Sequence, residues 1–423
     1  MLSKLLYNLF LLLYSCGIRV AAIANPKAKK WLSGRHNIFT SINARLKTQD
    51  SRLIWMHCAS LGEFEQGRPL LEELKMQYPQ QKIVLTFFSP SGYEVMKDYK
   101  GADHIFYLPM DSEANAKKFL DTVNPALVLW VKYEYWFYYL TEIKQRNIPT
   151  ILVSGIFRKN QPFFKWYGAI WKQMLDSFTH FFVQNEESQQ LLNPLGFTKN
   201  VTMNGDTRFD RVLEIAKYFT PVAGIEKFCG DSPVIVAGST WEEDEIELLH
   251  FVKVHKNVKF IIAPHEIDKT NLKDVKAEFP DSIFYSELDN RQRTMDNEQP
   301  NVLIIDNIGM LSRLYKYATV TYIGGGYGAD GVHNVLEAAV YGKPVVFGPV
   351  YEKFYEAIGL VNSGGAISID GGPVKLETVL NGLLHDETER SRRGEAAAQF
   401  VRDNAGASKK ILQYIQEKRL LTS

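Results

Sequence analysis

Several loops in this 423-residue chain carry residue types able to bind or activate a charged substrate. The densest is Tyr322-Ile323-Gly324-Gly325-Gly326-Tyr327-Gly328-Ala329-Asp330-Gly331-Val332-His333-Asn334-Val335-Leu336-Glu337. Glycines let a backbone approach a ligand closely, and free N–H groups at a helix start attract an anion. The loop is not a GxGxxG dinucleotide motif. On its own it points to something phosphorylated, or else to a tight structural turn. Glu337 lies four residues after His333, where an acid suits a ribose diol. The alternative is helix capping by Asn334, with Glu337 three residues later. Gly238-Ser239-Thr240 precedes an acidic helix, and its hydroxyls suit a phosphate. Ala263-Pro264-His265-Glu266 ends an apolar run. His265 and His333 have no third partner at metal-ligand spacing. Hydrogen bonding or phosphate contact is their reading, with no metal and no cofactor.

The first half of the chain carries four more such loops. Ala59-Ser60-Leu61-Gly62-Glu63 places Glu63 at a helix start. A carboxylate there can take a proton from a substrate hydroxyl, or simply complement the helix dipole. Ser89-Pro90-Ser91-Gly92 can cradle a phosphate or form an ordinary capped turn. Lys132-Tyr133-Glu134-Tyr135-Trp136 puts a Lys and a Glu at the end of the apolar run 127–131, facing a cleft or forming a surface ion pair. In Asn204-Gly205-Asp206-Thr207-Arg208-Phe209-Asp210, Arg208 can clamp a carboxylate or phosphate bidentately, or pair with Asp206 or Asp210.

The elements that must position these loops alternate. Strand patterns fall at 53–57, 82–88, 127–131, 150–153 and 181–183, and again at 234–237, 260–263, 302–305, 319–323 and 344–347. Helical patterns lie between them, including a long aromatic helix over 162–178, a helix over 334–341 and a helical tail from 377. Residues 281–300 read as a polar loop. This is an α/β chain of two tandem doubly wound, Rossmann-like domains with an interdomain cleft, the GT-B arrangement. The expected boundaries are 1–34 for a membrane anchor and its basic flank, 35–211 for the first domain, 212–230 for a linker, 231–400 for the second domain and 401–423 for a terminal helix. A net charge of +1 argues against a nucleic-acid partner. Cys16, Cys58 and Cys229 are far apart and form no CxxC, which fits a reducing compartment and excludes a zinc cluster.

Charge is uneven. Residues 1–50 hold eight Lys/Arg and one acid, Asp50. They surround the apolar segment 5–24, which is about long enough to cross a bilayer but is interrupted by Asn8 and Arg19. The flank Asn25-Pro26-Lys27-Ala28-Lys29-Lys30 keeps the following domains cytoplasmic and attracts anionic lipid heads. The segment is a membrane anchor, either spanning or lying in the interface.

Five loops in order, Ala-Ser-Leu-Gly-Glu at 59–63, Lys-x-Glu-x-Trp at 132–136, Gly-Asp-x-Arg-Phe-Asp at 205–210, Gly-Ser-Thr at 238–240 and His-Asn-x-Leu-Glu at 333–337, together resemble those of 3-deoxy-D-manno-octulosonic acid (Kdo) transferases. These are membrane-anchored lipid A glycosyltransferases of GT-B fold. The resemblance covers nearly the whole chain. It implies transfer of Kdo from CMP-Kdo to lipid IV(A), with inversion and without a metal, in lipopolysaccharide core biosynthesis at the cytoplasmic side of the cell inner membrane. It implies Glu63 as proton acceptor, Glu134 and Arg208 as transition-state stabilisers, and CMP contacts from Pro264, His265, Ile308, Gly309, Met310, Asn334, Val335, Leu336 and Glu337. Ser89, Ser91, Gly92, Lys132, Ser239 and Thr240 are further candidate substrate contacts. Two places depart from the family pattern: Ala-Pro-His-Glu stands where Ala-Pro-Arg-His is usual, and Gly-Val-His-Asn where Gly-Gly-His-Asn is frequent. Phe157, Arg158, Lys159, Phe163, Phe164, Lys165 and Trp166 are expected to form a membrane-facing surface. Competing readings are another membrane-associated GT-B enzyme using a UDP-sugar, a sugar-nucleotide epimerase, and a non-enzymatic scaffold.

Overall fold

A computed structural model describes residues 2–46, 53–132, 134–288 and 300–421. The chain divides into two compact units, Met1–Arg211 with Ala405–Ser423, and Val212–Asn404. The first holds seven strands: β1 (Leu53–Cys58), β2 (Ile83–Phe87), β3 (His104–Tyr107), β4 (Pro125–Val131), β5 (Thr150–Gly155), β6 (His180–Val183) and β7 (Val201–Met203). Their order is β3-β2-β1-β4-β5-β6-β7, and every pairing is parallel. Every position of β1, β2 and β5 is buried, because helices cover both faces of the sheet. The strand order reverses between β1 and β4, the place where doubly wound sheets bind ligands beyond the strand carboxyl ends.

The second unit repeats the plan with β8 (Val234–Thr240), β9 (Lys259–Pro264), β10 (Ser282–Phe284), β11 (Val302–Ile304), β12 (Val320–Ile323), β13 (Val345–Phe347) and β14 (Ala366–Ser368). The order is β10-β11-β9-β8-β12-β13-β14, again all parallel, with the reversal between β8 and β12.

Several elements differ from the sequence expectation. The aromatic stretch 162–178 is not one helix. It is a short 3₁₀ turn, Pro162–Phe164, followed by a helix over Ala169–Leu175. The chain folds back at Gly168, where a Cβ would lie 2.1 Å from the Pro162 carbonyl oxygen. The membrane-facing surface expected there is also reduced: Phe157 and Phe163 are buried in the core, while Trp166 stands 95% exposed. The helix expected over 334–341 is only Leu336–Ala339. The loop expected over 281–300 begins with β10, and its residues 289–299 lie outside the described residues. Helices Arg208–Lys217 and Ile225–Cys229 occupy most of 208–229.

The helix over Leu2–Ala21, α1, is followed by α2 (Pro26–Ser33), whose N-cap Asn25 accepts from the Lys27 and Ala28 N–H groups. One stripe of α1 packs on the first unit: Tyr7 and Leu11 are buried, and Tyr14 and Ile18 are partly so. The Tyr7 hydroxyl donates to Asp111 Oδ2 at 2.7 Å and accepts from the Phe137 N–H. Asp111 also accepts from the N–H groups of Tyr138 and Tyr139. Burial pushes this carboxyl up to about 6, although three hydrogen bonds oppose the shift. Asp111→Ala leaves the Tyr7 hydroxyl and two backbone N–H groups without their acceptor. We expect a stability loss of about 3 kcal/mol by denaturant titration, and a smaller loss of about 1 kcal/mol for Tyr7→Phe.

Candidate functional site

Glu63 sits in the first turn of the helix Leu61–Gln77, immediately beyond β1, and is hydrogen-bonded by the hydroxyl of Ser60. The helix start follows from Ser60 in extended conformation at the N-cap. Gln66, one turn further on, is buried. Its Nε2 donates to Asp206 Oδ2 at 3.3 Å, and its carbonyl accepts from the Thr207 hydroxyl.

Glu134 follows β4, the strand next to β1. A chain of hydrogen bonds reaches it from inside the sheet. Trp55 Nε1 donates to Thr86 Oγ1 at 2.8 Å, and Thr86 Oγ1 lies 2.9 Å from His57 Nδ1. An indole N–H can only donate, so Thr86 accepts there, while its own proton has both His57 Nδ1 and the Met56 carbonyl, at 3.5 Å, within reach. His57 Nε2 lies 3.2 Å from Glu134 Oε2, and a carboxylate can only accept, so Nε2 is the donor in that contact. Trp136 Nε1 donates to the same oxygen at 3.0 Å, and Trp130 Nε1 donates to the Glu134 carbonyl. Two N–H donors on one carboxylate oxygen fix its direction. Thr86 and Trp130 are the cross-strand partners of His57 on either side. The sequence reading passed over His57 and Thr86. The available signal was two polar residues inside runs otherwise apolar enough to be buried.

Arg208 opens the helix beyond β7. Its Nε and a terminal nitrogen lie 2.9 and 2.8 Å from Asp206 Oδ2, and its backbone N–H donates to Asp206 Oδ1. Burial alone would raise the Asp206 carboxyl, but Arg208 and Lys132 outweigh it and hold the group below the usual carboxylate range. Asp210 accepts from the N–H groups of Gly406 and Ser408, so the same motif fixes the return of the chain into this unit. Of the remaining candidates, Ser89 caps Pro90–Met96 by accepting from the Ser91 N–H, and Gly92 leaves room for the Phe87 ring. Lys132 has a left-handed backbone, φ 61°, as do Ser154 (φ 52°) and Ser239 (φ 55°), each at the carboxyl end of its strand. Non-glycine residues rarely accept this conformation, and Asn37, Asn124, Asn147 and Arg419 share it elsewhere among the described residues.

In the second unit, Ser239 and Thr240 end β8 and the glycine loop follows β12, its neighbour. One buried carboxylate, Asp244, joins them. It accepts from the Trp241 N–H at 2.9 Å, the Gly325 N–H at 2.8 Å and the Tyr322 hydroxyl at 2.7 Å. Gly324 permits the approach, since a Cβ there would lie 2.3 Å from the Ser239 carbonyl oxygen. The Thr240 hydroxyl is buried and donates to Glu245, whose carboxyl burial pushes up to about 7. His265, beyond Pro264 at the end of β9, is exposed and stacks on both Trp241 and His333, at ring distances of 4.6 and 4.3 Å. Trp241 Nε1 donates to His333 Nε2 at 2.9 Å, which leaves the His333 proton on Nδ1. Burial, then the neighbouring His265, lowers the His333 ring to about 4.

Val332 is buried, and its N–H donates to the Val350 carbonyl, so it anchors the loop against the segment after β13. Asn334 Oδ1 accepts from the Leu336 N–H, and its amide donates to Glu337 at 3.0 Å, but the short helix begins at Leu336 with Val335 at its N-cap and no side-chain cap, so the capping box weighed from sequence does not form. Beyond β11, Ile308 is 85% exposed, Gly309 has φ 95° and Met310 is buried. Asp244 and Trp241 were passed over because the acidic run Glu242-Glu243-Asp244-Glu245 reads as a solvated helix start. Among the described residues, no group of three or more His, Cys, Asp or Glu is placed to hold a metal ion.

Two parallel doubly wound sheets, each with polar loops at the point where strand order reverses, define the GT-B fold. The chain is 18% identical to the UDP-GlcNAc 2-epimerase of Neisseria meningitidis, solved with UDP-GlcNAc, with a TM-score of 0.63 over 87% of this chain and all of that one. The model of the family 3-deoxy-D-manno-octulosonic-acid transferase (kdotransferase) matches residues 35–211. A 3-deoxy-D-manno-octulosonic acid transferase of Haemophilus influenzae is 25% identical over 414 residues, 95% of this chain and 94% of that protein. A bifunctional glycosyltransferase/methyltransferase of Fusobacterium nucleatum is 31% identical over 73% of this chain, which spans only half of that relative. Residues 35–211 thus carry a Kdo transferase domain, and the similarity to Kdo transferases, at 24–28% identity, extends over most of the chain.

The low His333 value has a direct consequence. The unfolded ring protonates near 6.5, so it takes up protons that the folded ring refuses. This contribution to stability is complete above pH 6.5 and is lost as pH falls toward 4. Histidine NMR should show His333 neutral, with its proton on Nδ1, at pH 6. In Trp241→Phe the titration midpoint should rise, because Nε2 no longer accepts a hydrogen bond.

Proposed function

We propose that the chain transfers Kdo from CMP-Kdo to the lipid A precursor lipid IV(A), with inversion and without a metal, on the cytoplasmic face of the inner membrane. What carries this reading is the family match over 35–211, which includes the loops of Glu63, Glu134 and Arg208. Glu63 takes the proton of an acceptor sugar hydroxyl while that oxygen attacks the anomeric carbon of Kdo. The bond from that carbon to the CMP phosphate oxygen breaks, and cytidylate leaves with the electron pair. A positioned base of this kind contributes roughly 10²–10⁴-fold. Glu134, directed by His57 and Trp136, stabilises positive charge developing at the anomeric carbon. Arg208, oriented by Asp206, meets negative charge on the donor.

CMP is assigned to the second unit. Pro264 and His265, Ile308 to Met310 and Asn334 to Glu337 surround the strand ends where cytidylate would lie, and Ser239 and Thr240 shape the turn beneath. The His265 ring takes the place where the family usually has an Arg. Stacked with Trp241 and His333, it offers a directional ring N–H to the phosphate.

Incubation with lipid IV(A) and either CMP-Kdo or UDP-sugars, in the presence of EDTA, tests the reading. Kdo-containing product from CMP-Kdo alone is expected. Product only from UDP-sugars, or none once metal is chelated, would overturn it. Glu63→Gln should lower kcat by about 10²–10⁴-fold. His57→Phe should lower kcat about tenfold with little change in donor KM, since it removes the N–H behind Glu134 and fills a similar volume.

A further inference from the structure

We propose that α1 lies in the plane of an anionic lipid leaflet, its outer face inserted and its inner face fixed to the first unit, and that it does not cross the bilayer. The proposal extends the membrane part of the proposed function.

The inner stripe of α1 is covered along most of its length. Tyr7, Leu11, Tyr14 and Ile18 are spaced by four, three and four residues, which aligns them on one face over about 17 Å. The stripe is held by direction as well as by apolar contact: Tyr7 bonds Asp111 inside the unit, and the Tyr138 hydroxyl donates to Asn8 at 2.6 Å. The opposite face is bare. Leu5, Leu6, Leu9, Phe10, Leu12 and Leu13 are all 46–62% exposed. Six large apolar side chains on one helix face form a patch that water does not favour.

The surroundings of the helix decide between spanning and lying flat. At its beginning, Lys4 lies 3.7 Å from Glu113, beside a cavity of about 560 Å³ that Lys117 and Gln173 also line. Toward its end, a second cavity of about 630 Å³ is lined by Arg19, Arg35, His36 and Lys118, with no acid among its lining residues. A spanning α1 would carry both charged margins into hydrocarbon, or would have to break from the unit. Lying flat keeps them at headgroup level and inserts only the leucine face, to the shallow depth typical of interfacial helices. The charge fits one occupant. Residues 1–49 contain eight Lys/Arg and no acid, and Lys27, Lys29 and Lys30 lie within α2, directly after α1. Trp166 adds a second contact, because its loop leads into Ala169 and Ile170, which line the same cavity as Ser3 and Lys4.

The test uses the full chain with one environment-sensitive label at a time. The label is placed at Leu5→Cys or Leu12→Cys, each with Cys16→Ser, or at the native exposed Cys16; Cys58 and Cys229 are buried. All three positions lie on the outer face. Vesicles contain phosphatidylethanolamine with phosphatidylglycerol, or phosphatidylcholine alone, and lipids quenched at known depths report insertion. The expected result is equal, shallow depth for the three labels, with association at least tenfold weaker on phosphatidylcholine. A spanning helix would separate positions 5 and 12 by about 10 Å in depth, and that result overturns the proposal. Absence of quenching at all three positions overturns it as well, as does equal association with both vesicle types. The labelled side chains are exposed, and circular dichroism checks that each variant is folded. Depth is read without turnover. Flat insertion without Kdo product would remove only the catalytic reading, and graded depth with full activity would remove only this one.

Discussion

A carboxylate taken out of water must gather hydrogen-bond donors, and three buried aspartates in this chain do so at the places where its loops need holding. Asp111 collects the Tyr7 hydroxyl and two N–H groups and fixes α1 to the first unit. Asp206 collects Arg208 and Gln66 and ties the loop after β7 to the helix that carries Glu63. Asp244 collects two loop N–H groups and the Tyr322 hydroxyl, and so joins the ends of β8 and β12. In each case the acid touches no substrate in the proposed reaction. It pays the desolvation cost so that a neighbour stands in one direction. Removing any one leaves several donors buried without partners, which makes these positions more sensitive than many residues nearer the chemistry.

How much of this was legible in the sequence depends on where a residue sits in a sheet. The central strands β1, β2, β4, β5, β8, β9 and β12 read clearly, because a strand buried on both faces is a continuous apolar run. The four strands with no signal, β3, β7, β10 and β14, are the edges of the two sheets and only three or four residues long. An edge strand borrows its stability from one neighbour and needs little pattern of its own. The same logic explains the short helix at Leu336–Ala339. The sequence from 334 to 341 has helical spacing, but the Asn334–Glu337 hydrogen bond and the tie of Val332 to Val350 hold the residues before it in a loop.

The candidate site divides in the same way. Glu63, Glu134, Arg208 and the glycine loop stood out because charged or glycine-rich loops after apolar runs are conspicuous. Their supports did not. His57 and Thr86 look like faults in buried strands until the cross-strand register places Thr86, His57 and Trp130 side by side. Register is a property of pairing between distant segments, and no local window contains it. Asp206 was read as one possible partner of Arg208, but its burial, which makes the pairing structural, came only with the fold.

The same relation between support and exposed group accounts for the departure at His265. An Arg carries its charge wherever it points, so it needs little placement to meet a phosphate. An imidazole presents its N–H in one direction, so a site using one must fix the ring. Here the ring is held against Trp241 and His333, and Trp241 is itself fixed by Asp244. His265 thus stands in an aromatic stack backed by a buried acid. Burial, then the neighbouring His265 ring 4.3 Å away, lowers the His333 ring and keeps it neutral. In the first sheet, the left-handed Lys132 follows β4 and Arg208, oriented by Asp206, follows β7.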